Sequence, residues 1–248
     1  MTAIPQGRPG RAVLPSALCA LAVLAAAATG CAADDPDAGT NGVGKLPPQQ
    51  IQSRTRAAAD SADTVHLSGN VVSNGRAYRL DMRLKSDGGT GSVTSQGVTF
   101  GLLRIGSQLY LKANAAFWNH ADGDGKDSAT ADKLDGKYVK VPQGDPAYKR
   151  FSGFTDKRLL LDGLLTLHGT LATDGHHEQS GVRTVRVTGD KGSGGTLDVS
   201  LTGRPYPVRL VRAGGAGTLG FTDWGKGFAL SEPDQGETVD YGHQLPGA

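Results

Sequence analysis

Apolar and polar residues alternate one for one through most of the middle of the chain. Tyr78-Arg79-Leu80-Asp81-Met82-Arg83-Leu84-Lys85 keeps the alternation without a break. Val65, Leu67 and Val71 alternate with His66, Ser68 and Asn70, and Leu197, Val199 and Leu201 with Asp198 and Ser200. Val185 and Val187 flank Arg186, and Val208 and Leu210 flank Arg209. A period of two puts successive side chains on opposite faces, so these segments predict half-buried antiparallel strands with one face on a core and one in water. Asn74-Gly75, Asp87-Gly88-Gly89, Gly192 to Gly195 and Gly214 to Gly217 supply the turns between them. Roughly nine to eleven strands follow from this spacing.

Helical signals are few. Pro47-Pro48 opens a stretch with Ile51, Ala58 and Ala62 on one side, which predicts a short N-terminal helix. Phe154 to Leu167 is strongly apolar, and its leucines spread around much of a helix circumference, as expected of a helix laid against a sheet. Ser128 to Leu134 predicts a third, short helix. The expected fold is therefore α+β: a curved antiparallel sheet, a half-barrel, with a few helices on its concave face. A helix laid into an open barrel leaves more room than side chains leave in a small closed one.

The chain ends change the picture. Arg8 and Arg11 precede an apolar run from Ala12 to Ala28, then Ala28-Thr29-Gly30-Cys31. A positive start, an apolar run and small residues before a cut site predict a signal peptide over residues 1–30. A cysteine at the cut resembles the bacterial lipobox, with Ala28 where Leu is usual. Cys31 is then expected to carry an acyl anchor of the palmitate kind, holding the chain on the extracytoplasmic face of the cell membrane. Residues 31–46 are small, polar and Gly-rich, and are expected to be a flexible tether; residues 234–248 are expected to be a disordered tail. The folded domain is expected over residues 47–233.

Composition excludes several classes. Cys19 lies in the expected signal peptide, so the mature chain holds only Cys31, which rules out a disulfide framework or a cysteine metal site. Without residues 1–30 the basic and acidic residues are equal in number, which argues against a nucleic-acid partner. Asp122-Gly123-Asp124-Gly125-Lys126-Asp127 begins like a calcium loop, but Asp127 and Lys133 stand where an EF-hand needs Gly and Glu. His176-His177-Glu178 is expected to be an exposed hairpin tip after Asp174-Gly175. Gly215-x-Gly217-x-x-Gly220 does not open a helix after a strand and reads as a hairpin turn rather than a dinucleotide site. No nucleophile elbow, zinc-protease motif or phosphate loop occurs, so neither an enzyme nor a cofactor or metal is expected.

Leu103 to Lys112 followed by Phe117-Trp118, then Lys137-Tyr138-Val139-Lys140-Val141, Tyr206-Pro207-Val208-Arg209-Leu210 and Phe221-Thr222-Asp223-Trp224-Gly225 resemble the strands of the actinobacterial LppX/LprG-type lipoproteins, related to the LolA/LolB half-barrel carriers. The resemblance spans about residues 47–233. It implies a protein that holds a lipid or lipoglycan in a hydrophobic cavity and carries or presents it in the cell envelope, with room for an envelope export partner. No ligand site transfers residue by residue. The apolar segment itself nominates Phe154, Leu160, Leu161, Leu164, Leu165 and Leu167, with Trp118, as ligand contacts. The competing reading is an interaction or scaffolding lipoprotein whose core is fully packed.

Overall fold

The computed structural model describes residues 36–121 and 128–240. All the elements described belong to one compact unit within Asp37–Ala248. Twelve strands form a single sheet: β1 (Thr64–Ser73), β2 (Arg76–Lys85), β3 (Gly88–Ser95), β4 (Val98–Ile105), β5 (Gln108–Ala113), β6 (Tyr138–Val141), β7 (Leu171–Gln179), β8 (Val182–Gly189), β9 (Thr196–Ser200), β10 (Pro207–Val211), β11 (Gly217–Thr222) and β12 (Thr238–Asp240). Their spatial order is β12-β6-β5-β4-β3-β2-β1-β11-β10-β9-β8-β7. Two meanders, β1–β6 and β7–β11, meet where β11 pairs with β1. Every pairing is antiparallel except that of β12 with β6.

The chain must travel from β6, near one end of the sheet, to β7 at the other. It makes that journey through helices α4 (Pro146–Thr155) and α5 (Lys157–Leu164). Helix α4 accordingly packs across β2, β3 and β4, and α5 packs on α1 (Pro48–Ser61), which itself lies against β7 and β8. Helices α2 (Ala115–Ala121) and α3 (Ser128–Leu134) sit between β5 and β6 in the chain, α2 against β4 and β5.

Burial follows the alternation. In β2, Leu80, Met82 and Leu84 are buried while Arg79, Asp81 and Arg83 are exposed. Across the register Leu84 faces Val65, Met82 faces Leu67 and Leu80 faces Val93. These form one core with Leu109, Leu111, Val139, Leu197 and Leu219. The opposite face carries polar pairs such as His66 Nε2 with Asp81 Oδ1 at 2.8 Å. The hairpin β1–β2 turns on Asn74-Gly75 and β3–β4 on Gln96-Gly97, all four residues at positive φ, the conformation a two-residue hairpin needs. Inside β3, Gly91 has φ 157°, and a Cβ there would meet the Asp81 carbonyl oxygen at 2.1 Å. The strands approach one another there only because no side chain intervenes.

Local chemistry sets the helices. Pro48 stands at the first turn of α1, and Ile51, Thr55, Ala58 and Ala59 make its buried stripe. Asp145 caps α4 by accepting from the Ala147 amide at 2.7 Å. Arg104, at the end of β4, donates through Nε to Thr155 Oγ1 at 3.1 Å and through Nη2 to the Thr155 carbonyl at 2.9 Å, which fixes the far end of α4 to the sheet.

Several expectations need correction. The apolar helix over 154–167 is two helices. Asp156 leaves the helical region, with φ −95° and ψ 107°, and its carboxylate caps α5 by accepting from the Leu159 amide at 2.9 Å. From Leu165 to Thr170, up to the start of β7, the chain is irregular. Phe117-Trp118 lies in α2, not in an extended hairpin. His176 and His177 lie within β7 at a register break, not at the tip, which falls on Ser180-Gly181. The tether is partly docked: the Asn41 amide donates to the Leu201 carbonyl at 2.9 Å, and Val43 is buried. The tail adds β12 to the sheet before ending in residues outside those described. Helix α1 and helix α3 stand where the sequence predicts them.

Candidate ligand cleft

A cleft of about 1030 Å³ lies between the sheet and the helices. That is the upper end of the roughly 300–1,000 Å³ usual for small-molecule sites. On the sheet side its wall is Val71, Tyr78, Leu80 and Phe100; opposite stand Phe117 of α2, Phe151 and Phe154 of α4, and Leu159, Leu160 and Leu164 of α5. Aromatic contacts brace the two walls. Phe100 meets Phe117 and Phe151, each at 5.3 Å between ring centroids, and Tyr78 meets Phe154 at 5.8 Å.

The wall is not filled from the helix side. Gly153 and Gly163 line the cleft, and a Cβ on Gly163 would meet no atom within 4 Å. Leu159, whose side chain projects from the first turn of α5, is 64% exposed and lines the same space. A leucine so placed has unspent apolar area, which a ligand's hydrocarbon would cover at a gain of about 25 cal/mol per Å².

One end of the cleft is polar. Ser73, Asn74 and Arg76 come from the β1–β2 hairpin, Ser95 and Gln96 from the β3–β4 hairpin, Arg150 from α4 and Arg212 from the end of β10. The Arg212 guanidinium donates to the Val72 carbonyl at 2.8 Å.

The residues nominated from sequence divide. Phe154, Leu160 and Leu164 line the cleft. Leu161 and Leu165 turn the other way, beside Arg56 and Asp60 of α1. Leu167 is buried near Gly195, and its amide donates to Gln52 Oε1 at 3.2 Å. Trp118 is 2% exposed and does not reach the cleft; it touches Phe117 edge-on at 5.0 Å, and its indole N–H has no partner among the described residues. Cys31 and Asp122 to Asp127 lie outside the described residues.

Sequence reasoning missed the sheet side of the cleft and its arginines. A signal for one of them existed. Arg76 keeps the inward phase of Tyr78, Leu80 and Met82, so a charge stands where the alternation calls for an apolar residue. Among the described residues no group of three or more His, Cys, Asp or Glu side chains could hold a metal, and no helix is long and apolar enough to cross a membrane.

The fold has known counterparts. The chain is similar to LprF from Mycobacterium bovis, with a TM-score of 0.51 and 17% identity over 75% of this chain and 96% of that one. It is also similar to the lipoprotein LppX from Mycobacterium tuberculosis, at TM-score 0.42 and 14% identity over 74% and 98% of the two chains. An uncharacterised conserved protein from Thermus thermophilus follows at TM-score 0.36 and 11% identity over 77% and 98%. No protein-family model and no curated protein sequence matches the chain. The architecture is an antiparallel sheet crossed by helices, and it is similar to the fold of LprF.

Proposed function

We propose that this protein is an LppX/LprG-type carrier, tethered to the membrane through Cys31 after removal of residues 1–30, that holds the acyl chains of an amphiphile in the cleft and carries or presents it in the cell envelope. The observation that carries the reading is the unfilled apolar space between β1–β4 and α4–α5, walled by Leu80, Phe100, Phe154, Leu160 and Leu164 and open at a polar end. A fully packed scaffold would leave no such volume, since interiors are filled to the density of organic crystals. The fold shared with LprF supports the same reading, as does the lipobox-like Thr29-Gly30-Cys31 junction. On this view the sheet is a half-barrel, its helices lie on the concave face, and the cleft is the space between them. The carrier works without chemistry: apolar burial holds the tails, and release follows when a membrane or partner offers them equal burial.

Native mass spectrometry of the purified protein tests this. The expected result is a co-purifying amphiphile that is lost on delipidation and regained from added lipid. A bare protein mass that no added lipid changes would overturn the reading in favour of a scaffold.

A further inference from the structure

The charges around the cleft are one-sided. The whole chain carries 26 basic and 24 acidic residues, close to balance. The cleft lining carries Arg76, Arg150 and Arg212 and neither Asp nor Glu. Many surface cations of this protein do have carboxylate partners: Arg56 with Asp162, Arg158 with Asp60, Arg186 with Asp198. Among the described residues, the three cleft arginines have none.

All three line the cleft beside its apolar residues, Arg76 and Arg150 as exposed residues. Arg150 lies with its guanidinium 4.8 Å from the centroid of the Phe151 ring, and Phe151 is buried and lines the cleft. Arg76 begins β2 in the phase of Tyr78 and Leu80. Arg212 is half-buried and donates to the Val72 carbonyl, and its remaining N–H donors have no partner among the described residues. Around them stand the uncharged polar side chains of Ser73, Asn74, Ser95 and Gln96. A like-charged cleft with low-dielectric walls focuses its field, and guanidinium groups match phosphate and carboxylate oxygens in geometry.

We propose that the mouth of the cleft is an anion site, so that the carrier selects amphiphiles whose headgroup bears a phosphate or carboxylate, held by Arg76, Arg150 and Arg212 while the tails enter between Phe100, Phe154 and Leu164. This rests on the carrier reading and adds to it the class of headgroup. A neutral amphiphile would fill the same apolar space but leave three guanidinium groups without a counter-charge. Uptake of an anionic ligand is then screened by salt in a way that uptake of a neutral one is not.

The test uses one hydrocarbon with two ends. Cis-parinaric acid, ionised at alkaline pH, and its methyl ester are titrated by fluorescence into the protein and into a variant with Arg76→Gln, Arg150→Gln and Arg212→Gln together. Hydrophobicity alone favours the ester. The expected result is that the wild type binds the acid about tenfold or more tightly than the ester, the gain one charge-assisted hydrogen bond supplies. In the variant that preference disappears while ester binding is retained, which also shows that the variant is folded. Equal binding of acid and ester by the wild type overturns the anion site and leaves the carrier reading standing. Preference retained by the variant overturns the assignment to these arginines. If neither probe binds, the carrier reading fails and this one with it. Calorimetry with inorganic phosphate separates the sources: no heat is expected, and binding of phosphate by itself at an affinity matching that of the acid would overturn a headgroup site in favour of a free-anion site.

Discussion

The Lys157 ammonium donates to the Ala62 carbonyl oxygen at 2.8 Å, from the first turn of α5 to the end of α1. The same nitrogen reaches the carbonyls of Asp60 at 2.8 Å and Ala59 at 3.2 Å. One buried cation thus serves three carbonyls at the C-terminal end of α1, where positive charge is favoured; that of Ala59 also accepts the Ala62 amide. It also fixes the position of α5, and so of the cleft wall built from Leu159, Leu160 and Leu164. Lys157→Met keeps the aliphatic stem and removes the donor. It is expected to lower stability by about 1–3 kcal/mol, the cost of buried acceptors left unpaired, as read by denaturant unfolding.

The contribution of Lys157 also depends on pH. Burial, the largest effect, holds its ammonium below the usual 10.5, against the opposing pull of the Asp60 charge. In the unfolded chain the group keeps its ordinary value. Between the lowered folded value and 10.5 the unfolded state therefore binds more protons, and the stability contributed by this residue rises with pH. The gap in unfolding free energy between wild type and Lys157→Met is expected to widen through the alkaline range. A gap that narrows there would mean that folding favours the charged form.

Leu164 lines the cleft, whereas Leu161, one turn earlier in the same short helix, lies beside Arg56 and Asp60 of α1. Leu164→Trp is expected to fill cleft volume, displace co-purifying lipid and change stability by less than about 1 kcal/mol. Leu161→Trp must instead overpack the α1–α5 contact, with a loss of about 1–3 kcal/mol. Melting curves and lipid content measured on the same samples distinguish the two; equal destabilisation would mean that Leu164 is packed core.

Two glycines facing the same neighbourhood should behave differently. Gly91→Ala puts a Cβ within 2.1 Å of the Asp81 carbonyl oxygen at φ 157°, whereas Gly101→Ala puts one 3.6 Å from Lys112 Cβ, an ordinary contact. The first is expected to cost about 1–3 kcal/mol or more. The second is expected to be neutral or stabilising by up to about 1 kcal/mol through the unfolded chain. Thermal unfolding of both variants checks the contrast.

Cys31→Ala is expected to abolish acylation and move the protein from the membrane fraction to the soluble one. An unchanged partition, with no acyl mass on the wild type, would refute the lipid anchor.

The strands were legible because each buries one face, and alternation such as that of β2 survives in the residue order. The break at Asp156 was not, because the leucines on its far side continue the apolar run begun at Phe154; the capping role of Asp156 depends on a backbone turn that periodicity does not register. Strand β12 consists of Thr238, Val239 and Asp240 and pairs with β6, about a hundred residues earlier, so no local pattern announces it. Of the cleft, the helix side was visible in Phe154, Leu160 and Leu164. The sheet side and Arg76, Arg150 and Arg212 come from separate segments, which the pairing of β11 with β1 and the β6-to-β7 crossing bring together.

The unlike ends of the sheet bear on how this molecule survives crowding. A long, flat outer strand is a template on which other chains add. Here β7 breaks register between Thr173 and His176 and presents Asp174, His177 and Glu178, while β12 offers three residues running parallel to β6. Neither invites a neighbour's strand. With one edge three residues long and the other kinked and charged, little continuous backbone is left on which a second copy could add a strand.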